Sequence, residues 1–304
     1  MSASILVVGS VAFDSIKTPF GEAGDILGVS ATYFSVAASY FARVRVVAVI
    51  GNDFDEKHVD VFRKHKIDVE GLTRAAGRTF RWKGEYGYDL NEARTLETQL
   101  NVFEKFDPVI PERYRSSEYV FLGNIDPELQ LSVLNQIKGP RIVACDSMNF
   151  WIKGKLEAVK RTIERVDILI INDSETRMLA DEPNLVRAAN KVLAMGPKTL
   201  IVKRGEYGVL MFNGNSVFGA PAFPLEDVYD PTGAGDSFAG GFMGALAHAG
   251  DVDERAFRRG IIFGSVMASF NVEQFSLNRL TNLTRAEIDE RFRQFKALTH
   301  FEEM

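Results

Sequence analysis

Residues 141–180 read RIVACDSMNFWIKGKLEAVKRTIERVDILIINDSETRMLA, and this stretch decides the fold class. It contains two short apolar runs, RIVACD and DILIIN, and between them lies KLEAVKRTIERV, in which apolar residues recur at helical spacing. A second helical pattern, SETRMLA, follows the second run. Continuous apolar strands that alternate with amphipathic helices are typical of a parallel sheet covered on both faces. The stretch therefore predicts two strand-helix units of an α/β protein.

The same alternation extends outward on both sides of this stretch. The strand-like runs ILVVG, VRVVAVIG and YVFLGN precede it, and each is followed by a helical pattern, the first of which begins near Ser30. TLIVKRG and GVLMF follow it, and consecutive helical patterns run from Ala234 toward the end. We predict one domain over residues 1–304, with a doubly wound, mostly parallel sheet flanked by helices.

One segment, FRWKGEYGYDL at residues 80–90, departs from this pattern. Its aromatic residues alternate with charged ones, as in a strand of an antiparallel sheet. We expect a second strand at about residues 95–103, with residues 21–28 pairing with it, so that about 11–28 and 77–103 form a small inserted sheet. Its aromatic face needs a cover. A hairpin packed on the core, a lid over a cleft and a homodimer interface are the alternatives, and we favour the lid.

Composition excludes several functions. A net charge of −5 with scattered basic residues disfavours nucleic acid as a partner. No apolar run of about 18 residues is present, so we expect no membrane association. The beginning, MSASILVVGS, resembles a first strand more than a signal peptide, and the single Cys145 fits a reducing compartment, so we expect a cytoplasmic protein. The four histidines show no metal-ligand spacing.

The stretch YDPTGAGDSFAGG at residues 229–241 carries chemistry. Gly233, Ala234 and Gly235 precede an apolar helical run, and small residues at a helix N-terminus leave amides open to an anion. Asp236 has two interpretations: an N-cap of its own helix, or a general base beside that anion site. A Walker loop is absent, and a dinucleotide-binding fingerprint fails because Phe238 stands where its third glycine belongs.

Residues 230–236, DPTGAGD, resemble the D-T-x-G-A-G-D signature of the ribokinase-like (PfkB) carbohydrate and nucleoside kinases. The first strand and its end, ILVVGSVAFD, are similar to the start of that family. The resemblance implies a ribokinase-like fold in which Asp236 is the catalytic base and the amides of residues 233–236 form an anion hole. It implies further that Asp14 binds the substrate.

The resemblance also implies sites for ATP and Mg²⁺. IINDSE provides an N-x-x-E motif in which Asn172 meets the nucleotide and Glu175 helps to hold Mg²⁺ through water. VKRGEYG provides Lys203, Gly205 and Gly208 for the nucleotide. The alternatives are helix capping by residue 173 or 174 and a simple turn after a strand.

The acceptor end departs from the family pattern. LGVSATYFS has Val29 and Tyr33 where the family has a second glycine and an asparagine. We predict that Gly28, Ser30 and Tyr33 bind the acceptor, together with Phe80 and Trp82 of the predicted lid. Stacking of a nucleobase on these aromatics contributes about 1 to 3 kcal/mol, which favours nucleosides, whereas aromatics on one strand face also serve simply for packing.

We therefore expect an ATP- and Mg²⁺-dependent kinase that phosphorylates a hydroxymethyl group of a small sugar. A nucleoside kinase of the same fold is the alternative, and a non-catalytic ligand-binding regulator is a remoter one. No monovalent cation is claimed, because Ser276 stands where that family commonly has a glycine near its cation site.

Overall fold

The computed structural model describes residues 3–214, 216–300 and 302. Within them lie thirteen strands: β1 (Ser4–Val8), β2 (Ala12–Thr18), β3 (Gly21–Gly28), β4 (Arg43–Ile50), β5 (Asp68–Arg74), β6 (Arg81–Tyr86), β7 (Ala93–Gln99), β8 (Tyr119–Leu122), β9 (Ile142–Cys145), β10 (Ile168–Asn172), β11 (Thr199–Lys203), β12 (Val209–Asn213) and β13 (Ser216–Ala220). The same residues contain ten α-helices: α1 (Ser30–Ser39), α2 (Glu56–Lys64), α3 (Pro127–Gln136), α4 (Asn149–Gly154), α5 (Leu156–Ile163), α6 (Asp173–Ala180), α7 (Leu185–Leu193), α8 (Ala234–Ala249), α9 (Glu254–Asn271) and α10 (Arg285–Thr299). None of these helices combines the length and the apolar character that a membrane crossing requires.

The larger sheet contains nine of these strands, in the order β13-β12-β11-β10-β9-β8-β1-β4-β5. The strands from β11 to β5 in that order are parallel, whereas β12 and β13 extend one edge antiparallel. Every residue of β8 and β9 is buried, which explains why both sequences are continuous apolar runs. The predicted fold class, a mostly parallel sheet flanked by helices, is confirmed.

Two apolar cores cover the two faces of the larger sheet. Along β1, Ile5 and Val7 belong to one core and Leu6 and Val8 to the other, because successive side chains of a strand point to opposite faces. Helices α1, α8, α9 and α10 contribute to the first core, and α3, α5 and α7 to the second. Both faces of the larger sheet are therefore covered by apolar side chains.

A smaller sheet has the order β3-β2-β6-β7. Its outer pairs are antiparallel, and the central pair, β2 with β6, is parallel. The expected pairing of residues 21–28 with the strand near residue 95 is wrong, because β3 pairs with β2. These two strands are joined by only two residues, so the hairpin forms locally and leaves β7 at the opposite edge. The last predicted strand also ends earlier, at Gln99, and residues 101–105 form a 3₁₀ helix.

The aromatic alternation at residues 80–88 holds only inside β6. Trp82 and Tyr86 share one face of the strand, with Gly84 between them. Phe80 precedes the strand and stacks on Phe103, with ring centroids 5.3 Å apart, and Tyr88 follows the strand and is 97% exposed. The expected four-residue aromatic face is therefore wrong, since period-two geometry stops where the chain leaves the sheet.

Candidate active site

The carboxyl ends of the parallel strands meet along one edge of the larger sheet, where α/β proteins commonly bind ligands. Asn172 and Lys203 end β10 and β11 and are directly paired in register. Asp146 follows the last residue of the neighbouring β9. Strand order therefore brings three polar side chains from distant parts of the sequence to one edge.

Helix α8 begins beside this edge. Its N-cap residue, Gly233, has a φ of 77°, and a Cβ atom at this position would overlap the ring of Tyr33. A Cβ atom at Gly235 would lie 2.9 Å from Nζ of Lys203. The two glycines therefore let the start of the helix approach Tyr33 on one side and Lys203 on the other.

The first amides of α8 are largely unused. The amide of Ala234 donates to the carbonyl oxygen of Pro231 at 3.2 Å, and no side chain caps the helix. Among the described residues, the amides of Gly233, Gly235 and Asp236 have no acceptor. Unpaired amides and the helix dipole together make this helix start suitable for an anion.

Asp236 does not cap α8, so the capping interpretation is wrong. Its carboxylate accepts no hydrogen bond from any described residue. Burial and the nearby negative charge of Asp146 raise its pKa to about 7, whereas the Lys203 ammonium opposes this shift. A carboxyl with this pKa exchanges protons near neutral pH, which is the property that general-base catalysis needs.

Lys203 and Asp146 form a largely buried ion pair, with Nζ 3.1 Å from Oδ2. The remaining Asp146 oxygen, Oδ1, accepts a hydrogen bond from the amide of Ser147. Burial lowers the pKa of Lys203, but the charges of three acidic residues, Asp146, Glu175 and Asp236, raise it. The net shift is upward, so the ammonium stays charged. One cation therefore lies among three acidic side chains.

Asn172 and Glu175 cap α6 reciprocally. The Asn172 side chain accepts from the amide of Glu175 at 2.7 Å, and the Glu175 carboxylate accepts from the amide of Asn172 at 2.8 Å. The alternative in which residue 173 or 174 caps the helix is wrong, because the motif residues themselves form the cap. Burial and the nearby Asp146 raise the pKa of Glu175 to about 7.

The loop after β11 contacts the tip of the smaller sheet. A Cβ atom at Gly205 would overlap the side chain of Asn91, which lies in the turn between β6 and β7. Asn91 accepts from the amide of Glu206 and donates to its carboxylate, both at 3.1 Å. Gly208 has a φ of 81° and lies against the backbone of Ala220. A side chain at this position would overlap that backbone, so packing also requires glycine in this turn.

Asp14 lies on β2 and is completely buried. Its Oδ2 accepts from the amide of Val29 at 3.1 Å, and a Cβ atom at Gly28 would overlap this oxygen. Oδ1 has no partner in the described chain. Burial raises the pKa of Asp14 to about 8, and the Asp230 and Asp236 charges add to this while the Val29 amide opposes it. Asp14 is therefore held at one oxygen and free at the other.

Val29 itself is strained, with a φ of 61° and a ψ of 177°. This region of backbone geometry is essentially restricted to glycine and costs about 1 to 3 kcal/mol for other residues. The strained conformation is the one in which the Val29 amide reaches Asp14. The strained residue, Val29, is therefore the one whose amide holds Asp14, and it stands where the family has its second glycine.

Tyr33 and Tyr86 both lie beside the start of α8, Tyr33 against Gly233 and Tyr86 against Thr232. The Tyr33 hydroxyl is buried without a partner in the described chain, and burial followed by the charge of Asp14 raises its pKa well above the usual value. The Tyr86 hydroxyl lies 3.3 Å from Oγ1 of Thr232, directly before α8. The smaller sheet is thereby attached to the start of α8.

The remaining predicted acceptor residues differ in position. Trp82 is paired with Asp14 across β2 and β6, so both side chains lie on the same face of the smaller sheet. The ring of Trp82 covers Gly84, and its Nε1 donates to Thr95 at 3.2 Å. Ser30 instead bonds Ser10, 3.0 Å between hydroxyls. Of the predicted residues, Ser30 and Phe80 thus direct their side chains to Ser10 and Phe103 rather than to Asp14.

Asp230 is buried and satisfied by backbone. Its carboxylate accepts from the amides of Thr232 at 2.9 Å and Ser276 at 3.1 Å. Ser276 has a φ of 58°, the glycine-like geometry, and its hydroxyl donates to the carbonyl oxygen of Leu27. Ser276 therefore links Asp230 to Leu27, two residues before Val29.

Sequence reasoning missed Asp146, Tyr86 and Asn91 as site residues. Asp146 had a usable signal, since a carboxylate that ends an apolar run in a parallel sheet lies at the ligand-binding edge. In the sequence, Tyr86 appears only as one member of an aromatic pattern. Asn91 carried no signal, because its partner Glu206 is 115 residues away.

The profile of the pfkB family carbohydrate kinases matches residues 25–282. A cytidine kinase from Thermococcus kodakarensis is 29% identical over 257 residues, which are 82% of this chain and 91% of that protein. A ribokinase from Thermotoga maritima has a TM-score of 0.76 and 25% identity, with 96% of this chain and 99% of that one covered. A putative ribokinase II from E. coli, in complex with ATP and Mg²⁺, has a TM-score of 0.78 and 16% identity, with the same shares covered.

Fold and relatives together define a ribokinase-like kinase for sugars or nucleosides, a phosphotransferase with an alcohol group as acceptor. The chain belongs to the pfkB family of carbohydrate kinases.

Proposed function

We propose that this protein transfers the γ-phosphoryl group of ATP to a hydroxymethyl group of a small sugar. The observation that carries the proposal is Asp236, a carboxylate without a hydrogen-bond partner among the described residues and with a pKa of about 7. It lies in the first turn of α8, whose free amides suit the charge of a phosphoryl group.

In this mechanism Asp236 accepts the proton of the acceptor hydroxyl as that oxygen attacks the γ-phosphorus. The amides of Gly233, Gly235 and Asp236 face the oxygens of the transferring group. The Ala234 amide, which the family resemblance includes, is already bonded to Pro231 and contributes less. Catalysis then depends mainly on positioning and on fixed dipoles.

The acceptor is held by polar atoms that the protein leaves unpaired. Oδ1 of Asp14 and the hydroxyl of Tyr33 are both buried without partners in the described chain. Such atoms are costly unless a ligand satisfies them. A polyhydroxylated molecule supplies the required donors and acceptors, which supports a sugar moiety next to Asp14.

The nucleotide lies on the edge formed by β10, β11 and the loop after β11. Mg²⁺ prefers oxygen ligands and commonly keeps several waters, and the Glu175 carboxylate at the start of α6 would hold the ion through such waters, so this residue fits the ion. When bound, Mg²⁺ neutralises charge on the phosphates. Among the described residues no cluster of three side chains is arranged to bind a metal directly, which favours coordination through water and phosphate.

We propose further that the smaller sheet, with residues 11–28 and 77–103, is a lid inserted in a single domain. Its inner face carries Asp14 and Trp82, and its tip contacts the loop after β11 through Asn91 and Glu206. A lid in this position covers the acceptor and, at the same time, contacts the loop beside the nucleotide.

A nucleoside is the second candidate acceptor, and Trp82 favours it. Its ring lies on the Asp14 face, where a base attached to the sugar has an aromatic surface to stack on. The similarity to a cytidine kinase also supports this acceptor.

The test is a panel of pentoses, hexoses and nucleosides with ATP and Mg²⁺, in which ADP and the phosphorylated acceptor are both quantified. We expect one class to yield a phosphate ester in equal amount to ADP. Trp82→Ala separates the candidates, because it raises KM for a nucleoside by about tenfold or more and leaves KM for a free sugar nearly unchanged. Binding of an acceptor without any ester would refute the kinase proposal and support a ligand-binding regulator.

A further inference from the structure

The ion pair between Lys203 and Asp146 has no role in the mechanism described so far. The pair lies at the ends of two strands separated by β10, is largely buried, and has Glu175 and Asp236 nearby. Burial of an isolated ion pair contributes little to stability, because desolvation offsets the attraction. Its position therefore calls for a functional explanation.

Lys203 is aimed at the start of α8. Its Nζ lies 2.9 Å from the position of a Cβ atom at Gly235, and its Cδ and Cε lie 3.5 Å from the same point. Any larger residue at 235 would displace the ammonium. The ammonium is thus beside the free amides of Gly235 and Asp236, where a phosphoryl group would find both a cation and N–H donors.

Asp146 fixes this arrangement. It holds the ammonium through Oδ2, and the amide of Ser147 holds Oδ1, so the carboxylate has one orientation. A lysine has a flexible four-carbon stem and loses precision without such a partner. The charges of Glu175 and Asp236 also act on the ammonium, but the described contact of Nζ with a carboxylate is to Asp146.

We propose that Lys203 binds the γ-phosphoryl group of ATP at the start of α8 and that Asp146 is the positioning residue for Lys203; this inference rests on the proposed function. During transfer the acceptor oxygen forms a bond to the γ-phosphorus. The bond between that phosphorus and the bridging oxygen breaks, its electron pair stays on ADP, and the acceptor proton passes to Asp236. Lys203 transfers no proton and compensates negative charge on the phosphoryl oxygens throughout.

A binding experiment tests the contact without turnover. The full-length protein and Lys203→Met are titrated with ADP and with the non-hydrolysable analogue AMP-PNP, both with Mg²⁺, by calorimetry. We expect the variant to weaken AMP-PNP by about tenfold or more and ADP by less than about threefold, because only AMP-PNP carries the third phosphate. Lys198→Met is the matched control, since Lys198 precedes the same strand, is 80% exposed and pairs with Asp167. Equal effects of the two substitutions would overturn the proposal.

A kinetic experiment tests the role in transfer. Lys203→Met should lower kcat by about 10²-fold with KM for the acceptor nearly unchanged, the usual loss when one stabilising donor is removed. Lys203→Cys should behave alike, and aminoethylation of that cysteine should restore at least a tenth of the activity by restoring an ammonium; the native Cys145 is buried. Alkylation with a neutral ethyl group should restore nothing, and equal recovery with both reagents would refute a role of the charge.

The role of Asp146 is tested by a double-mutant cycle. Asp146→Asn alone should lower kcat about tenfold, and it should have almost no further effect when Lys203 is already methionine. Additive losses would refute positioning through Lys203. If the wild type phosphorylates no acceptor, the proposed function fails, yet the AMP-PNP comparison still decides whether Lys203 contacts the third phosphate.

Discussion

Replacement of Asp236 by asparagine should remove activity and stabilise the fold at the same time. The difference between its pKa of about 7 and the ordinary 3.8 corresponds to about 4 kcal/mol of unfavourable burial once the carboxyl is ionised. The side chain is partly exposed, so water screens some of this cost. We expect Asp236→Asn to raise the free energy of unfolding by about 2 kcal/mol at pH 8 and to lower kcat by about 10² to 10⁴-fold.

The sign of the stability change depends on pH. Because the pKa is raised on folding, the folded state binds its proton more tightly than the unfolded state, and wild-type stability falls as pH rises from about 4 to about 7. The asparagine does not titrate. The gain from the substitution should therefore vanish near pH 4, grow toward pH 7 and remain constant above it.

Urea unfolding at pH 5 and pH 8, followed by circular dichroism, measures this difference. Glu287→Gln is a control of opposite sign, because hydrogen bonds from Arg279 and Thr284 hold the pKa of Glu287 down to about 2. That variant should lose stability near neutral pH. A destabilised Asp236→Asn at pH 8, or one with wild-type kcat, would refute the assignment of Asp236 as a general base with a raised pKa.

Three further predictions concern the acceptor side and the lid tip. Val29→Gly should raise the free energy of unfolding by about 1 kcal/mol in the same urea assay, because glycine tolerates this backbone geometry, and a loss would show that the strain is absent. Gly28→Ala should raise KM for the acceptor by about tenfold or more while KM for ATP stays near wild type, since a Cβ atom there displaces Asp14; steady-state kinetics with either substrate varied decides this, and equal changes in both constants would count against it. Asn91→Ala removes both hydrogen bonds to Glu206, so we expect KM values for acceptor and ATP to rise together by a few fold with little change in stability; an effect on one substrate alone would contradict a shared lid contact.

Local sequence predicts the larger sheet and the helices that cover it. Apolar runs without alternation occur where strands are buried on both faces, so the parallel sheet and its helices followed from periodicity. The sequence pattern predicts the smaller sheet as a separate unit but not the order of its strands. β3 pairs with β2 because only two residues join these strands, and the aromatic pattern contains no information about this short loop.

The sequence by itself determined the α/β architecture and the motif at residues 230–236, because both depend on contiguous residues. Only the tertiary structure decided that Lys203 pairs with Asp146 and stands against Gly235, that Tyr33 packs on Gly233, and that the turn at Asn91 reaches the loop after β11. Each of these contacts joins distant segments. Their formation depends on which strands are neighbours and on how closely a helix start can approach a sheet edge, and neither quantity is encoded in the periodicity of any single segment.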